Sequence, residues 1–181
     1  DNLYLVTGTA IIIGYDRDTL REKVDLRAAG ERLDELEALR SLSAITEKVA
    51  LLRMLGRLDE AWDMANAAVR QARFTGDRET LLACRIRRAQ VQQYQGKLDI
   101  ALQDLGGCVD EARAHEWYAL EAFALQHRGK VHFDRGDYRL ALGDFEDAYT
   151  LRTREGLPSD QLESSALAID VAKERIAAQP A

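Results

Sequence analysis

From about residue 36 onward, apolar side chains recur at the spacing of one helix face: Leu39, Leu42, Ile45, Val49 and Leu52 fall three or four apart. The same phase predicts first helices over 36–55, 79–95 and 117–135 and second helices over 59–74, 99–114 and 138–154. Gly76-Asp77 reads as a helix stop followed by a helix start, because glycine accepts the left-handed cap and aspartate takes up free amide groups. Gly156-Leu157-Pro158-Ser159 has the same role. Beyond it, Leu162, Ala166, Ile169, Ala172 and Ile176 stay in helical phase and predict a terminal helix over 162–176, with Lys173 and Arg175 near its end, capping the last unit. The opening stretch breaks this pattern. Leu3-Tyr4-Leu5-Val6 and Ile11-Ile12-Ile13 are apolar and β-branched over a length too short to cross a bilayer. Two arrangements suit them. One is a degenerate leading helical unit, with helices over 3–13 and 18–29 about a Gly14-Tyr15 turn and with Leu20, Val24 and Leu26 facing the array. The other is a strand or apolar arm docked in the groove. Gly30 is the expected joint.

The helical phase is also an internal repeat. Gly56-Arg57-Leu58-Asp59-Glu60-Ala61, Gly96-Lys97-Leu98-Asp99-Ile100-Ala101 and Gly136-Asp137-Tyr138-Arg139-Leu140-Ala141 recur at intervals of forty residues. Before each glycine lie Ala44, Cys84 and Ala124, then Val49, Ala89 and Gly129, then Leu51, Val91 and Val131. After it come Ala65, Leu105 and Phe145, then Ala68, Cys108 and Ala148. Small residues at matched places let two helix backbones approach, and larger ones fill the space between. A fixed period of this size means stacked units that share a core.

Gly136-Asp137-Tyr138 and Leu58-Asp59-Glu60-Ala61 resemble the interhelix turn of the tetratricopeptide repeat, and the likeness covers residues 42 to 155. It departs from that pattern in its forty-residue period and in placing Lys48, Arg88 and Arg128 where a buried leucine is expected. The tryptophan of the first helix and the proline after the second are also missing. The chain is more similar to the longer-period variant of bacterial regulatory proteins and kinesin light chains. The resemblance implies an all-α fold, a right-handed superhelix of antiparallel helix pairs with a C-terminal capping helix. Its segments would be a leading unit or docked arm over 1–30, three repeats within 31–158 (about 36–77, 78–116 and 117–158) and a capping helix over 159–178.

Composition suits such an array: two prolines and twelve glycines leave few breakers in 181 residues. Cys84 and Cys108 occupy places where other copies carry alanine, so they read as buried packing residues, and nothing points to an oxidising compartment. There is no initiating methionine, no basic start and no cleavage site of a signal peptide, which suits a cytoplasmic module of a larger chain.

No phosphate-cradling loop, nucleophile elbow or zinc spacing occurs. His115-Glu116 lacks a second histidine at helical spacing, and His127 and His132, five apart, point to different sides of a helix. Asp134, Asp137, Asp144, Glu146 and Asp147 fit helix starts and solvated faces. These readings exclude an enzyme, a metal site and a cofactor. The net charge of −6 argues against nucleic acid, and nothing argues for a membrane. Residues 51–100 nevertheless hold nine basic and six acidic groups, mainly through Arg85, Arg87, Arg88 and Lys97, so an acidic peptide could be drawn there.

In the tetratricopeptide family first-helix side chains line the concave groove. Carried over by position, these are Thr46, Ala50, Arg53 and Met54, then Ile86, Gln90, Gln93 and Tyr94, then Phe123, Gln126, Lys130 and Phe133. The expected ligand-binding set is Arg53, Met54, Arg87, Gln90, Gln93, Tyr94, Gln126, Lys130 and Phe133, whose amides, aromatics and cations suit an extended peptide. The lysine-asparagine pairs that clamp a C-terminal carboxylate in some members are missing. The reading is a protein-binding or peptide-binding scaffold of a bacterial regulatory or signalling protein. The alternative is a homo-oligomerisation element that uses the apolar N-terminal segment or the C-terminal helix, and a small-molecule sensor domain is a third.

Overall fold

The computed structural model describes residues 5–6, 9–75 and 77–181. Among the described residues the fold is all-α in its body, with eight helices that pack on their neighbours within each of two units: α1 (Leu26–Leu36), α2 (Leu42–Met54), α3 (Leu58–Thr75), α4 (Arg78–Tyr94), α5 (Leu98–Ala114), α6 (Tyr118–Asp134), α7 (Tyr138–Arg154) and α8 (Ser159–Ala178). Among the described residues four short strands precede them: β1 (Leu5–Val6), β2 (Thr9–Ala10), β3 (Ile12–Tyr15) and β4 (Glu22–Val24). Strand β1 pairs antiparallel with β2, and β3 with β4. The chain divides into two compact units, Asp1–Gln95 and Gly96–Ala181. The division falls between α4 and α5, inside the stretch 78–116 expected as one repeat.

The first thirty residues require a correction. The predicted helix over 3–13 does not form where the chain is described, residues 3, 4, 7 and 8 lying outside the described residues, and of the one over 18–29 only residues 26–29 are helical, as the start of α1. Ile12–Tyr15 and Glu22–Val24 are instead the arms of a hairpin, as β-branched and aromatic side chains favour. Its turn is fixed locally: the Asp16 carboxylate accepts from the Asp18 N–H at 2.7 Å, and Leu20 takes a positive φ of 60°. Ile11 and Val24 then pack with Ala29, Leu36, Ala44 and Leu51, so both belong to the core of the first unit. The segment is extended, as in the strand alternative, and its seat is the cluster on α1 and α2.

The helix predicted over 36–55 forms as α2 over Leu42–Met54, and its predicted start falls instead on the end of α1 and the joint that follows. α1 ends at Leu36 and α2 starts after Ser41, whose hydroxyl accepts from the Ala44 N–H at 3.2 Å. Between them the Lys48 ammonium donates to the carbonyls of Glu37 (3.2 Å) and Leu39 (2.7 Å), groups that a helix end leaves without internal partners. Burial and then the nearby Arg40 hold Lys48 below the ordinary lysine pKa. Across the same joint Arg32 forks onto Glu47 at 2.7 and 3.0 Å, which keeps its guanidinium protonated.

The repeated glycines have one shared cause. Gly56, Gly96 and Gly136 adopt φ of 77°, 78° and 80°, a region costly for any residue with a Cβ. After each, the N–H of Ala61, Ala101 or Ala141 closes the first turn of the next helix onto the carbonyl of Arg57, Lys97 or Asp137 at 3.0, 3.1 and 3.0 Å. All three alanines are fully buried. The second helices end on a matching place forty residues apart: Gly156 has φ 63°, whereas Glu116 holds φ 56° with a full side chain. Gly76, the third member, lies outside the described residues, but Asp77 beside it accepts from the N–H groups of Glu79 and Thr80 as its cap.

Within each unit, small and large residues are matched. In the first, Val49 packs with Ala65 in a cluster that includes Leu52, Ala61 and Val91. In the second, a Cβ added to Gly129 would lie 2.6 Å from Cε1 of Phe145, so the glycine makes room for a fully buried ring. Cys84 is buried with Ile45, Ala68 and Val69, and burial pushes its thiol above the usual cysteine range; Cys108 is fully buried too.

Candidate functional site

In the first unit the predicted ligand-binding positions sit on α2 and α4. Arg53, near the end of α2, is 3 % exposed. Tyr94 ends α4, and Gln90 and Gln93 on the same helix are buried. Met54 is half-buried against the cluster that holds Ile11, and Arg87 is half-buried on α4.

What covers Arg53 and Tyr94 is strand β4. The Glu22 carboxylate, 9 % exposed, accepts from Arg53 Nη1 at 3.1 Å and Nη2 at 3.2 Å and from the Tyr94 hydroxyl at 2.8 Å. The Arg21 guanidinium stands 4.1 Å from the centre of the Tyr94 ring, and that of Arg53 stands 4.8 Å from it. One carboxylate thus takes three donors, two of them from the planar fork that matches its geometry. Burial is the main reason the Tyr94 phenol is held above its ordinary pKa; the Glu22 carboxylate adds to this, and Arg53 and Arg21 oppose it. The phenol therefore keeps its proton at neutral pH and donates it.

The predicted positions of the second unit lie on α6 and are covered by α8. Gln126, 1 % exposed, accepts from the Ser165 hydroxyl at 2.7 Å, and Ser165 in turn accepts from Arg152 Nη1 at 2.9 Å. The same Arg152 nitrogen donates to the Gln161 carbonyl at 3.1 Å and so fixes the first turn of α8. Lys130 and Phe133 are buried. The Phe133 ring meets Tyr138 edge-on with centroids 5.2 Å apart, and the Arg175 guanidinium stands 5.5 Å from its centre.

The three basic residues that replace a leucine are each satisfied within their own unit. Lys48 reaches the carbonyls after α1, Arg88 donates to Asn66 Oδ1 at 3.3 Å, and Arg128 forks onto Asp144 at 2.8 and 2.9 Å. Asp144 is a correction. The sequence places it on a solvated face, but it is buried on α7 beneath Arg128, with His132 Nε2 3.8 Å away. Burial lowers the His132 pKa, and the Asp144 carboxylate opposes that shift.

Glu22, Arg21, Ser165, Arg152 and Arg175 escape a reading confined to first helices. Some carry a signal. Lys23 is exposed between inward Glu22 and Val24, the alternation of a strand. Asp144 and Arg152 fall on the stripe Ala141, Phe145 and Ala148, where a polar residue needs a buried partner. Glu22 and Tyr94, however, are 72 residues apart, and nothing local links them.

Among the described residues no cluster of three or more His, Cys, Asp or Glu side chains could hold a metal ion, and no helix is long and apolar enough to cross a membrane. No family model matches this chain, and no curated protein matches it.

Proposed function

We propose that the chain is a tetratricopeptide-like interaction module, a piece of bacterial cytoplasmic regulatory machinery that holds a protein or peptide segment on its first-helix face and catalyses no reaction. The observation that carries this reading is the repeated joint: three glycines of like positive φ, each followed by a buried alanine that opens the next helix with the same hydrogen bond. Such an array sets matched side chains on successive first helices, where amide, aromatic and cationic groups suit an extended backbone and acidic side chains. Arg53, Arg87, Gln90, Gln93 and Tyr94 supply that chemistry in the first unit, whereas Gln126, Lys130 and Phe133 in the second are buried, with α8 over Gln126 and Phe133. Acidic protein segments are the preferred partners.

The test is affinity capture with the full chain and with a near-isosteric variant, Tyr94→Phe combined with Lys130→Met, matched for thermal unfolding. A partner retained by the first and lost by the second supports the reading; identical partners for both refute it. Homo-oligomerisation is the second reading, favoured by exposed Ile13 on the hairpin and exposed Leu26 at the start of α1. Sedimentation over a wide concentration range separates the two, since a concentration-independent monomer removes assembly as the role.

A further inference from the structure

We infer that Arg53 and Tyr94 form a carboxylate site for an extended segment carrying a basic residue immediately before a glutamate, and that the β3–β4 hairpin is a built-in occupant which such a segment displaces. The inference rests on the interaction-module reading and names its ligand.

The first argument is chemical. A guanidinium that is 3 % exposed beneath β4 requires an anion whenever a segment covers it, because an uncompensated buried charge is costly. Glu22 meets that need with a single side chain held by three donors. A carboxylate from elsewhere meets it equally well. Exchange therefore replaces one ion pair by another, and the charge on Arg53 is not left bare. Arg21, the residue just before β4, covers the Tyr94 ring. The Arg21-Glu22 pair is the recognised element, and it calls for no more than an extended backbone that presents both side chains.

The second argument concerns the occupant. β3 and β4 span four and three residues, and a two-stranded hairpin of that size has little stability of its own. Leu20, at the turn, is buried in a left-handed conformation unusual for leucine, so part of what docking gains is spent on backbone strain. Beyond the Glu22 clamp, the hairpin is anchored to α1 and α2 through Ile11 and Val24. The helices beneath have cores of their own in which it takes no part, such as Val49, Leu52, Ala61, Ala65 and Val91. Opening the hairpin withdraws Ile11, Leu20 and Val24 from their seats but leaves the Val49, Leu52, Ala61, Ala65 and Val91 cluster of α2, α3 and α4 whole, so the hairpin is the part that opens first.

The probe is a fluorescent peptide with the sequence of residues 18–26, offered to the wild-type full chain and to the Glu22→Gln full chain and read by anisotropy. Because the internal occupant competes with it, the peptide binds Glu22→Gln about tenfold or more tightly than wild type, and a peptide with glutamine in place of its glutamate binds neither. In parallel, hydrogen exchange on wild type finds the amides of 12–24 opening at least about tenfold faster than those of α2 and α4, and faster still with peptide present. Equal binding to both chains, binding to neither, or hairpin amides that exchange only together with the helices overturns the inference. Should Glu22→Gln fail to fold, the wild-type exchange experiment decides alone. If the inference fails while the Tyr94→Phe, Lys130→Met variant still loses its partner, the module reading stands without the internal occupant. If both fail, both readings fall.

Discussion

The first unit covers Arg53 and Tyr94 with a strand that brings a carboxylate, while the second covers Gln126 with a helix that brings a hydroxyl. Both coverings come from outside the Gly-to-Ala joints, one from the start of the chain and one from its end. They differ in how much depends on a single partner. A buried ion pair contributes little net stability when whole but leaves a large penalty when halved, because the surviving charge cannot be rehydrated in place. The Gln126–Ser165–Arg152 relay spreads its bonds over amide, hydroxyl, carbonyl and guanidinium, and α8 adds the packing of Ala168, Val171 and Ala172. The first closure is conditional on one anion; the second is a standing part of the core.

The largest expected effect comes from halving the ion pair. Arg53→Ala strands the Glu22 carboxylate and destabilises the first unit by about 3 kcal/mol, read by urea unfolding, with exchange of the β3–β4 amides rising first. A smaller loss would mean that Glu22 is rehydrated and that the comparison overstates the burial of this pair. Next is Gly129→Ala. The new Cβ meets the Phe145 ring and costs about 2 kcal/mol, while Gly129→Ala with Phe145→Leu recovers part of the loss. Ser165→Ala follows at about 1 kcal/mol, since Gln126 and Arg152 each lose one buried bond while the packing of α8 persists. A loss as large as that of Arg53→Ala would erase the distinction between the two closures.

Smaller still, Glu116→Gly raises the melting temperature, by about 0.5 kcal/mol in stability. It relieves a positive φ at the cost of some unfolded-state entropy and of the bond from the Tyr118 hydroxyl. The last is a pH effect. His132 has a folded pKa below the ordinary 6.5, so the unfolded chain binds more protons between the two values. The stability it contributes is complete above 6.5 and is lost as pH falls through the folded value. Urea midpoints therefore fall more steeply between pH 7 and pH 5 in wild type than in His132→Gln.

The body of the fold was legible because its determinants are local. A glycine at a left-handed turn, an alanine four residues into the next helix bond and apolar residues three and four apart are visible in any window of the chain. The helix predicted over 36–55 was placed too early at its start because the joint before α2 depends on Lys48 folding back onto carbonyls nine and eleven residues away. The leading segment failed because an apolar run of this length suits a helix and a strand alike, and the choice is made by Ile11 and Glu22 finding seats on α1, α2 and α4. The candidate face was legible only as a set of positions. That Arg53 and Tyr94 share one carboxylate, and that Gln126 is tied to α8, are matters of tertiary placement.

The matched sizes of Val49 with Ala65 and of Gly129 with Phe145 bear on how such a chain can be recombined. A crossover between helix pairs moves both members of a match together and leaves each core filled. A crossover within a pair would set valine against phenylalanine or glycine against alanine, one overfull and the other hollow. Exchange of whole hairpins of helices is therefore the tolerated unit of duplication or shuffling in this chain, and single-helix grafts are not.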